Sequence, residues 1–388
     1  MNALTVLARI RSGQEDALRE LLAAIGSAPG GNPYIHFDED LNTHSARWSV
    51  VHDPENGYRL LLATEFDGVL EEYVTLLADT TPGLDDIWGK CEGYTGREHF
   101  FEFIRLNSYE TQAFYIAYRD ETVASIRTKI SVRERLEDLL DTPSPWLRPL
   151  LAMISGAPQT AGIIDRICGL WTSARLAFHN WWANLFLAIL KPLTQIGETK
   201  DYSRVSTVCG PGQKLRVQAP TAALAGQMIT ITDVKPGLFR FIWLRAALAL
   251  NEFLAKYAFP PGLFAYVGTL WSFRWVLIDN NKRLIFLSVF DGTWQNYMGD
   301  FIDKIIWALD GIYNNTKNYP PGGMSEIDAF KAFILTYQFE PQILYKAYPK
   351  ESVMNLIRDR TINAALADGL ARRMGIHTAE VETLLKAG

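Results

Sequence analysis

Ala46-Arg47-Trp48-Ser49-Val50-Val51 returns 227 residues later as Phe273-Arg274-Trp275-Val276-Leu277-Ile278. Both stretches set an arginine and a tryptophan in a run of strand-forming residues. A short turn follows each. Then Leu60-Leu61-Leu62-Ala63-Thr64-Glu65-Phe66-Asp67-Gly68 returns as Leu284-Ile285-Phe286-Leu287-Ser288-Val289-Phe290-Asp291-Gly292. Tyr73 matches Tyr297, Leu84-Asp85-Asp86-Ile87-Trp88 matches Leu309-Asp310-Gly311-Ile312-Tyr313, and Tyr94 matches Tyr319. Finally Glu110-Thr111-Gln112-Ala113-Phe114-Tyr115-Ile116-Ala117-Tyr118 matches Glu340-Pro341-Gln342-Ile343-Leu344-Tyr345-Lys346-Ala347-Tyr348. The offset stays between 224 and 230 throughout. Order and spacing together identify an internal duplication.

Each half reads as strand, helix, two strands, helix, a helical excursion, a last strand and a last helix. Residues 4–10 suit a strand, and Leu18, Leu21, Leu22 and Ile25 give 13–25 a helical spacing. Strands 45–52 and 58–66 flank Asp53-Pro54-Glu55-Asn56-Gly57, whose Pro and Asn-Gly are hairpin residues. Asp-Gly ends the second strand, and a helix starts near Val69 or, in the second half, Thr293. Strand 112–118 leads into a helix over 121–140. The second half is expected to hold strands 228–234, 272–279, 282–290 and 342–348, with helices 238–256, 293–309, 327–335 and 350–368.

Four antiparallel strands with helices on one face make a ferredoxin-like α+β unit, and its bare face needs cover. Two copies in one chain supply that cover for each other. The element order, the Arg-Trp strand, the Phe-Asp-Gly ending and the Ala-Tyr strand resemble the dimeric α/β-barrel superfamily. This group includes dye-decolourising peroxidases, chlorite dismutases and small antibiotic-biosynthesis monooxygenases. The resemblance covers 1–140 and 228–368. It implies two tandem ferredoxin-like repeats that stack their antiparallel sheets as an intramolecular dimeric α/β barrel. The parts are then repeat one at 1–141, a Trp-rich helical insert at 142–227, and repeat two with a C-terminal helical extension at 228–388. It also implies an oxidoreductase of peroxidase or monooxygenase type acting on a hydrophobic small molecule, with haem as the cofactor of the peroxidase members. Asp67 and Asp291 are similar in place to the aspartate of the peroxidases' GxxDG signature, which assists peroxide cleavage. Thr64 and Ser288 stand where its first glycine belongs.

The 388 residues are 48% hydrophobic and 21% charged, with a net charge of −5, which excludes a disordered or low-complexity chain. Cys91, Cys168 and Cys209 are odd in number and far apart, so neither a disulfide framework nor a CxxC metal site is expected. Residues 1–10 read as a strand rather than a secretory leader, and no apolar run reaches the roughly 20 residues of a spanning helix. A cytoplasmic protein, soluble or attached to a membrane surface, is the expectation. Acidic residues dominate 1–140, with 13 Lys/Arg against 24 Asp/Glu, while 142–227 carries 8 against 3. No basic stripe interleaved with aromatics occurs, which argues against nucleic acid.

Nine of the 11 tryptophans lie from Trp146 onward. Between residues 159 and 191 the polar pairs Asp165/Arg166, Thr172/Ser173 and His179/Asn180 recur every seven residues, so they line one edge of a helix. Trp171, Trp181, Trp182 and Phe186 fall on its wide apolar face. The first helix of repeat one carries Gln14, Glu15, Asp16, Arg19 and Glu20. Its counterpart reads Leu238-Phe239-Arg240-Phe241-Ile242-Trp243-Leu244 and has lost its wet face. Either these surfaces cover each other, within one chain or in a homo-oligomer, or they contact a partner protein or a lipid surface.

Arg47 and Arg274 sit mid-strand and need partners, for which Asp67 and Asp291 at the end of the neighbouring strand are diagonal candidates. An internal ion pair and a clamp for a carboxylate or other anion are the two readings. Tyr118 and Tyr348, ending the last strands, either point into a pocket or cap the sheet. None of the six histidines is repeated: His44 aligns with Trp271, His52 with Asp279 and His99 with Ala329. No metal set emerges. P-loop, GxGxxG, GxSxG and HExxH motifs are absent.

Overall fold

A computed structural model describes residues 1–141 and 225–374, apart from 29–30, 38–41, 54, 260 and 266. The described chain divides into two compact units, one of residues 1–124 with 225–353, the other of 125–141 with 354–374. The insert residues Trp171, Trp181, Trp182 and Phe186 lie outside the described residues.

The larger unit begins with β1 (Asn2–Arg9), α1 (Glu15–Ser27), β2 (Thr43–Asp53) and β3 (Gly57–Phe66). It continues through α2 (Leu70–Asp79), α3 (Leu84–Trp88), α4 (Phe100–Asn107) and β4 (Thr111–Ile116) to the start of α5 (Val123–Asp141). The second half supplies β5 (Ala225–Asp233), α6 (Leu238–Phe253), β6 (Leu270–Ile278) and β7 (Arg283–Asp291). After these come α7 (Trp294–Lys304), α8 (Ile306–Tyr313), α9 (Ile327–Tyr337), β8 (Gln338–Phe339), β9 (Ile343–Lys346) and α10 (Val353–Met374). The expected helix over 293–309 is two helices, because Ile305 leaves helical geometry at φ −127°.

All pairings are antiparallel, in a four-stranded sheet of order β1-β3-β2-β9 and a five-stranded sheet of order β4-β6-β7-β5-β8. The last strand of each half therefore pairs in the other half's sheet. Trp48 faces Ile343 across β2 and β9, and Ala113 faces Trp275 across β4 and β6. Each sheet keeps two edge strands, so no closed barrel forms among the described residues.

Strand alternation sorts the cores. Trp48, Val50, Leu60 and Leu62 point to one face of the first sheet and pack under Leu18, Leu22, Ile25, Tyr73, Leu77, Ile87 and Phe103 of α1–α4. Residues of the opposite parity, Leu7, Val51, Leu61 and Ala63, meet Ile229, Ile231, Val276, Ile278, Ile285 and Leu287 of the second sheet. The two bare faces thus bury each other.

The duplication recurs as matched contacts. Tyr73 stacks on Phe66 at 4.0 Å and Tyr297 on Phe290 at 3.7 Å. Tyr94 donates to Asp85 at 2.5 Å, and Tyr319 donates to Asp310 at 2.5 Å. At the hairpin ends Arg59 reaches Asp53 at 3.0 Å and Asp279 at 2.9 Å, while Arg283 contacts the same two carboxylates. The second hairpin turns through Asp279, Asn280 and Asn281 at φ 52°, 54° and 65°, where Asp and Asn are tolerated and β-branched residues are not.

Helix α1 seats closely on the exchanged strand. A Cβ on Gly26 would fall on the Gln342 carbonyl, a backbone atom that cannot swing aside. Gly26→Ala is therefore expected to destabilise by about 1–3 kcal/mol, although alanine favours helix by about 1 kcal/mol. Urea unfolding reads this directly; a stabilised variant would contradict the packing. In the smaller unit, Arg133 and the buried Asp359 form an ion pair at 3.1 Å between α5 and α10.

Candidate functional site

Between the sheets, the apolar layer gives way to a polar cluster. Arg47 on β2 and Arg274 on β6 share the inward parity of Val51 and Val276, and both are fully buried. Arg47 Nη2 donates to Glu65 Oε1 at 3.1 Å, and Arg274 Nη2 donates to the same oxygen. Ser45 donates to Glu65 Oε2 and Ser272 to Oε1 at 3.4 Å. Arg47 Nη1 reaches the Ser288 carbonyl at 3.1 Å, and Arg274 Nη1 the Leu4 carbonyl at 2.8 Å and Thr5 Oγ1 at 3.2 Å.

One carboxylate thus serves two guanidiniums related by the duplication. The position equivalent to Glu65 in the second half is Val289. Burial opposes the Glu65 charge, but Arg274, Arg47 and the Ser45 hydrogen bond hold its carboxyl below the ordinary value. Burial draws Arg47 down to about 10, against the attraction of Glu65.

The expected pairing of Arg47 and Arg274 with Asp67 and Asp291 is corrected here: Glu65 is the carboxylate for both arginines. Strand period explains it. Glu65 lies inside β3 on the inward face, whereas Asp67 lies beyond Phe66, where the chain has left the sheet. The sequence signal that could have found it is a lone acid in the run Leu60–Phe66.

Asp67 and Asp291 do matching work elsewhere. Asp67 Oδ1 lies 3.1 Å from His44 Nε2, and Oδ2 accepts the Val123 N–H at 2.8 Å. Asp291 Oδ1 accepts the Trp271 indole N–H, and Oδ2 accepts the Val353 N–H at 2.8 Å. Each aspartate therefore fastens the first residue of the helix that follows an exchanged strand, a helix N-terminus that favours negative charge. His44 and Trp271, aligned by the duplication, fill the same donor role. The His44 hydrogen bond and charge, with the Val123 N–H, overcome burial and lower Asp67. For Asp291 burial prevails over its hydrogen bonds and raises the carboxyl.

Above these carboxylates four rings converge. His44 Nδ1 lies 2.7 Å from Tyr348 Oη. The Tyr118 ring lies 5.0 Å from His44, 5.6 Å from Trp271 and 6.1 Å from Tyr348, and Trp271 stacks on Tyr348 at 6.2 Å. All four are buried. Tyr118 is pushed well up by burial and by the nearby negative charges of Glu65 and Asp67. The structure thus brings Arg47, Asp67, Tyr118, Arg274, Asp291 and Tyr348 into one contiguous region. It adds Glu65, His44 and Trp271, of which only the His44/Trp271 correspondence was visible in the sequence.

These residues do not fit a haem. Both oxygens of Asp67 and of Asp291 are occupied, and both ring nitrogens of His44 are engaged. Arg47, Arg274 and Glu65 are buried between the sheets and paired with one another. Among the described residues no group of three His, Cys, Asp or Glu can hold a metal ion. Cys91 is buried, and burial pushes its thiol up to about 12, the environment of an unreactive thiol.

A second feature lies on the outside. Helix α6 buries Leu244, Ala247, Leu248 and Asn251. Leu238, Phe239, Ile242, Phe253 and Tyr257 are each more than half exposed, and Leu250 is 36% exposed. Trp243 is half-buried beside them, stacked on Phe239 at 6.4 Å. The exposed residues of α1 are instead Asp16, Ala17, Glu20, Ala23, Ala24 and Ser27. No helix among the described residues is long and apolar enough to cross a membrane. No protein family, curated protein or solved structure matches the chain.

Proposed function

We propose that this protein attaches to the surface of a lipid bilayer through α6, the lipid being the hydrophobic molecule it binds. The carrying observation is the exposed row of Leu238, Phe239, Ile242, Leu250 and Phe253 on α6, extended by Tyr257 on the π-helical turn Leu254–Ala258 that continues it, whereas the duplicate of α6, α1, presents acids and small residues. Fully burying one Leu or Phe contributes about 1.5–3 kcal/mol, so even partial insertion of several side chains gives useful affinity. Arg245 and Lys256 are exposed on the same segment, and its one acid, Glu252, is engaged by Lys256 and by the Phe114 N–H. Aromatic and aliphatic residues flanked by unopposed arginine suit an in-plane interfacial helix on anionic lipid. Oxidative chemistry at a haem has less support, because the residues the resemblance marks for it are spent on structure.

The exchange of last strands and the matched contacts also support reading the body as a fused pair of ferredoxin-like repeats of dimeric α/β-barrel type. Vesicle flotation tests the function. The full chain should float with phosphatidylcholine vesicles containing phosphatidylglycerol, and the Phe239→Ser/Ile242→Ser/Phe253→Ser variant should stay at the bottom. No flotation with neutral or anionic vesicles would overturn the proposal. Concentration-dependent self-association lost in the same variant would then assign the face to a second copy.

A further inference from the structure

The pairing of β9 with β2 brings Tyr348 of one half against His44 of the other, 2.7 Å from Oη to Nδ1. The opposite nitrogen, Nε2, lies 3.1 Å from Asp67 Oδ1. An ionised carboxylate only accepts, so in the neutral ring Nε2 carries the proton and Nδ1 keeps its lone pair. Asp67 is ionised in this setting, its carboxyl lying below the ordinary value. Tyr348 therefore donates its phenolic O–H to a base that is itself oriented by a carboxylate. The counterpart of His44 is Trp271, an indole, which donates and has no lone pair to offer a phenol. Other buried tyrosines donate elsewhere: Tyr94 to Asp85 and Tyr319 to Asp310, both at 2.5 Å, and Tyr345 to the Phe37 carbonyl at 3.2 Å. Carboxylates and carbonyls are weaker bases than imidazole.

This arrangement suits the loss of an electron. Oxidising a phenol makes its proton strongly acidic, and a buried phenol gives up an electron easily only where a base already holds that proton. His44 is within hydrogen-bond reach, and the imidazolium it becomes is paired with Asp67 rather than stranded. The stacked neighbour, Trp271, is a poorer resting place for the electron vacancy. Lys346 Nζ lies 3.6 Å from the centroid of its ring, and a positive charge there opposes withdrawal of an electron from the indole. Electron transfer needs no cavity, and the half-buried Asp67 and Asp291 set the cluster just beneath the surface.

We propose that Tyr348 is a redox-active tyrosine, which gives one electron to a peroxyl radical while its phenolic proton passes to His44 Nδ1. Tyr348 is oxidised to a neutral phenoxyl radical as its O–H bond breaks and an N–H bond forms on His44. The peroxyl radical is reduced, takes a proton from solvent and leaves as a hydroperoxide. One electron and one proton leave the phenol, and the imidazolium left beside Asp67 can return its proton when the radical is reduced again.

This step is independent of the lipid-binding face, and its test uses no lipid. The intact full-length chain at pH 7.5 is oxidised by photogenerated tris(bipyridyl)ruthenium(III), which stands in for the peroxyl radical, then frozen and read by electron paramagnetic resonance. A long-lived tyrosyl signal is expected, narrowed when the protein is made with ring-deuterated tyrosine. Tyr348→Phe should abolish it, and Tyr319→Phe should leave it. His44→Phe keeps a ring in the layer but removes the base, and should slow formation of the radical about a hundredfold. In the wild type, heavy water should slow formation because the proton moves with the electron. A long-lived signal that survives Tyr348→Phe, a signal on tryptophan, or formation indifferent to both His44→Phe and heavy water would overturn the proposal.

Discussion

Glu65→Gln should be the most damaging single substitution in the larger unit, costing about 3–5 kcal/mol. The side chain keeps its shape, and an amide still accepts from Arg47 or Arg274, but the negative charge is gone. Two fully buried guanidiniums then face each other with only carbonyls and hydroxyls around them. Breaking one member of a buried ionic cluster is costly because it strands the remaining charge, whereas replacing the whole cluster with apolar residues need not be. Arg47→Met/Glu65→Leu/Arg274→Met should therefore lose less stability than Glu65→Gln alone. Urea unfolding of both variants checks this, and a cost under about 1 kcal/mol for Glu65→Gln would mean that the arginines do not depend on that charge.

The same carboxylate sets an acid limit. Its folded value lies below the ordinary 4.5. Its contribution is complete above the unfolded value and is lost as pH falls through the folded one. The wild type should lose this contribution toward low pH, while Glu65→Gln, already uncharged, should show a shallower acid-side decline.

Removing both hairpin aspartates should exceed the sum of removing each. Asp53 and Asp279 each contact both Arg59 and Arg283, so a single Asp53→Asn or Asp279→Asn leaves every arginine one carboxylate. The double variant leaves two nearly buried arginines with none. A coupling of about 1–3 kcal/mol is expected in a double-mutant cycle. Additivity within about 0.5 kcal/mol would show that the four groups act as separate surface pairs.

Much of the secondary structure was legible because the apolar spacing in each half is strong and is stated twice. The apolar period predicts a single helix over 293–309 because it runs on through Ile305, where the backbone breaks. The two-residue β8, which pairs Phe339 with Ile229, is too short to carry a period. Asp67 looked like a partner for Arg47 because the duplication repeats both residues; repetition also marks the fastening of a helix start, which is what Asp67 and Asp291 do. The repeat does not mark Glu65, because Val289 stands at its equivalent position.

The sequence by itself determined the duplication, the α+β content, the inward and outward parity of the strands and the loss of a wet face on α6. These follow from side-chain period and from the comparison of two copies. Only the tertiary structure decided that β4 and β9 exchange sheets and that one glutamate serves two arginines. The last strands of the two halves share a pattern and offer equivalent ladders, so local sequence does not distinguish pairing at home from pairing across. Which charge meets which depends on where the two sheets lie over each other, and that is settled by packing.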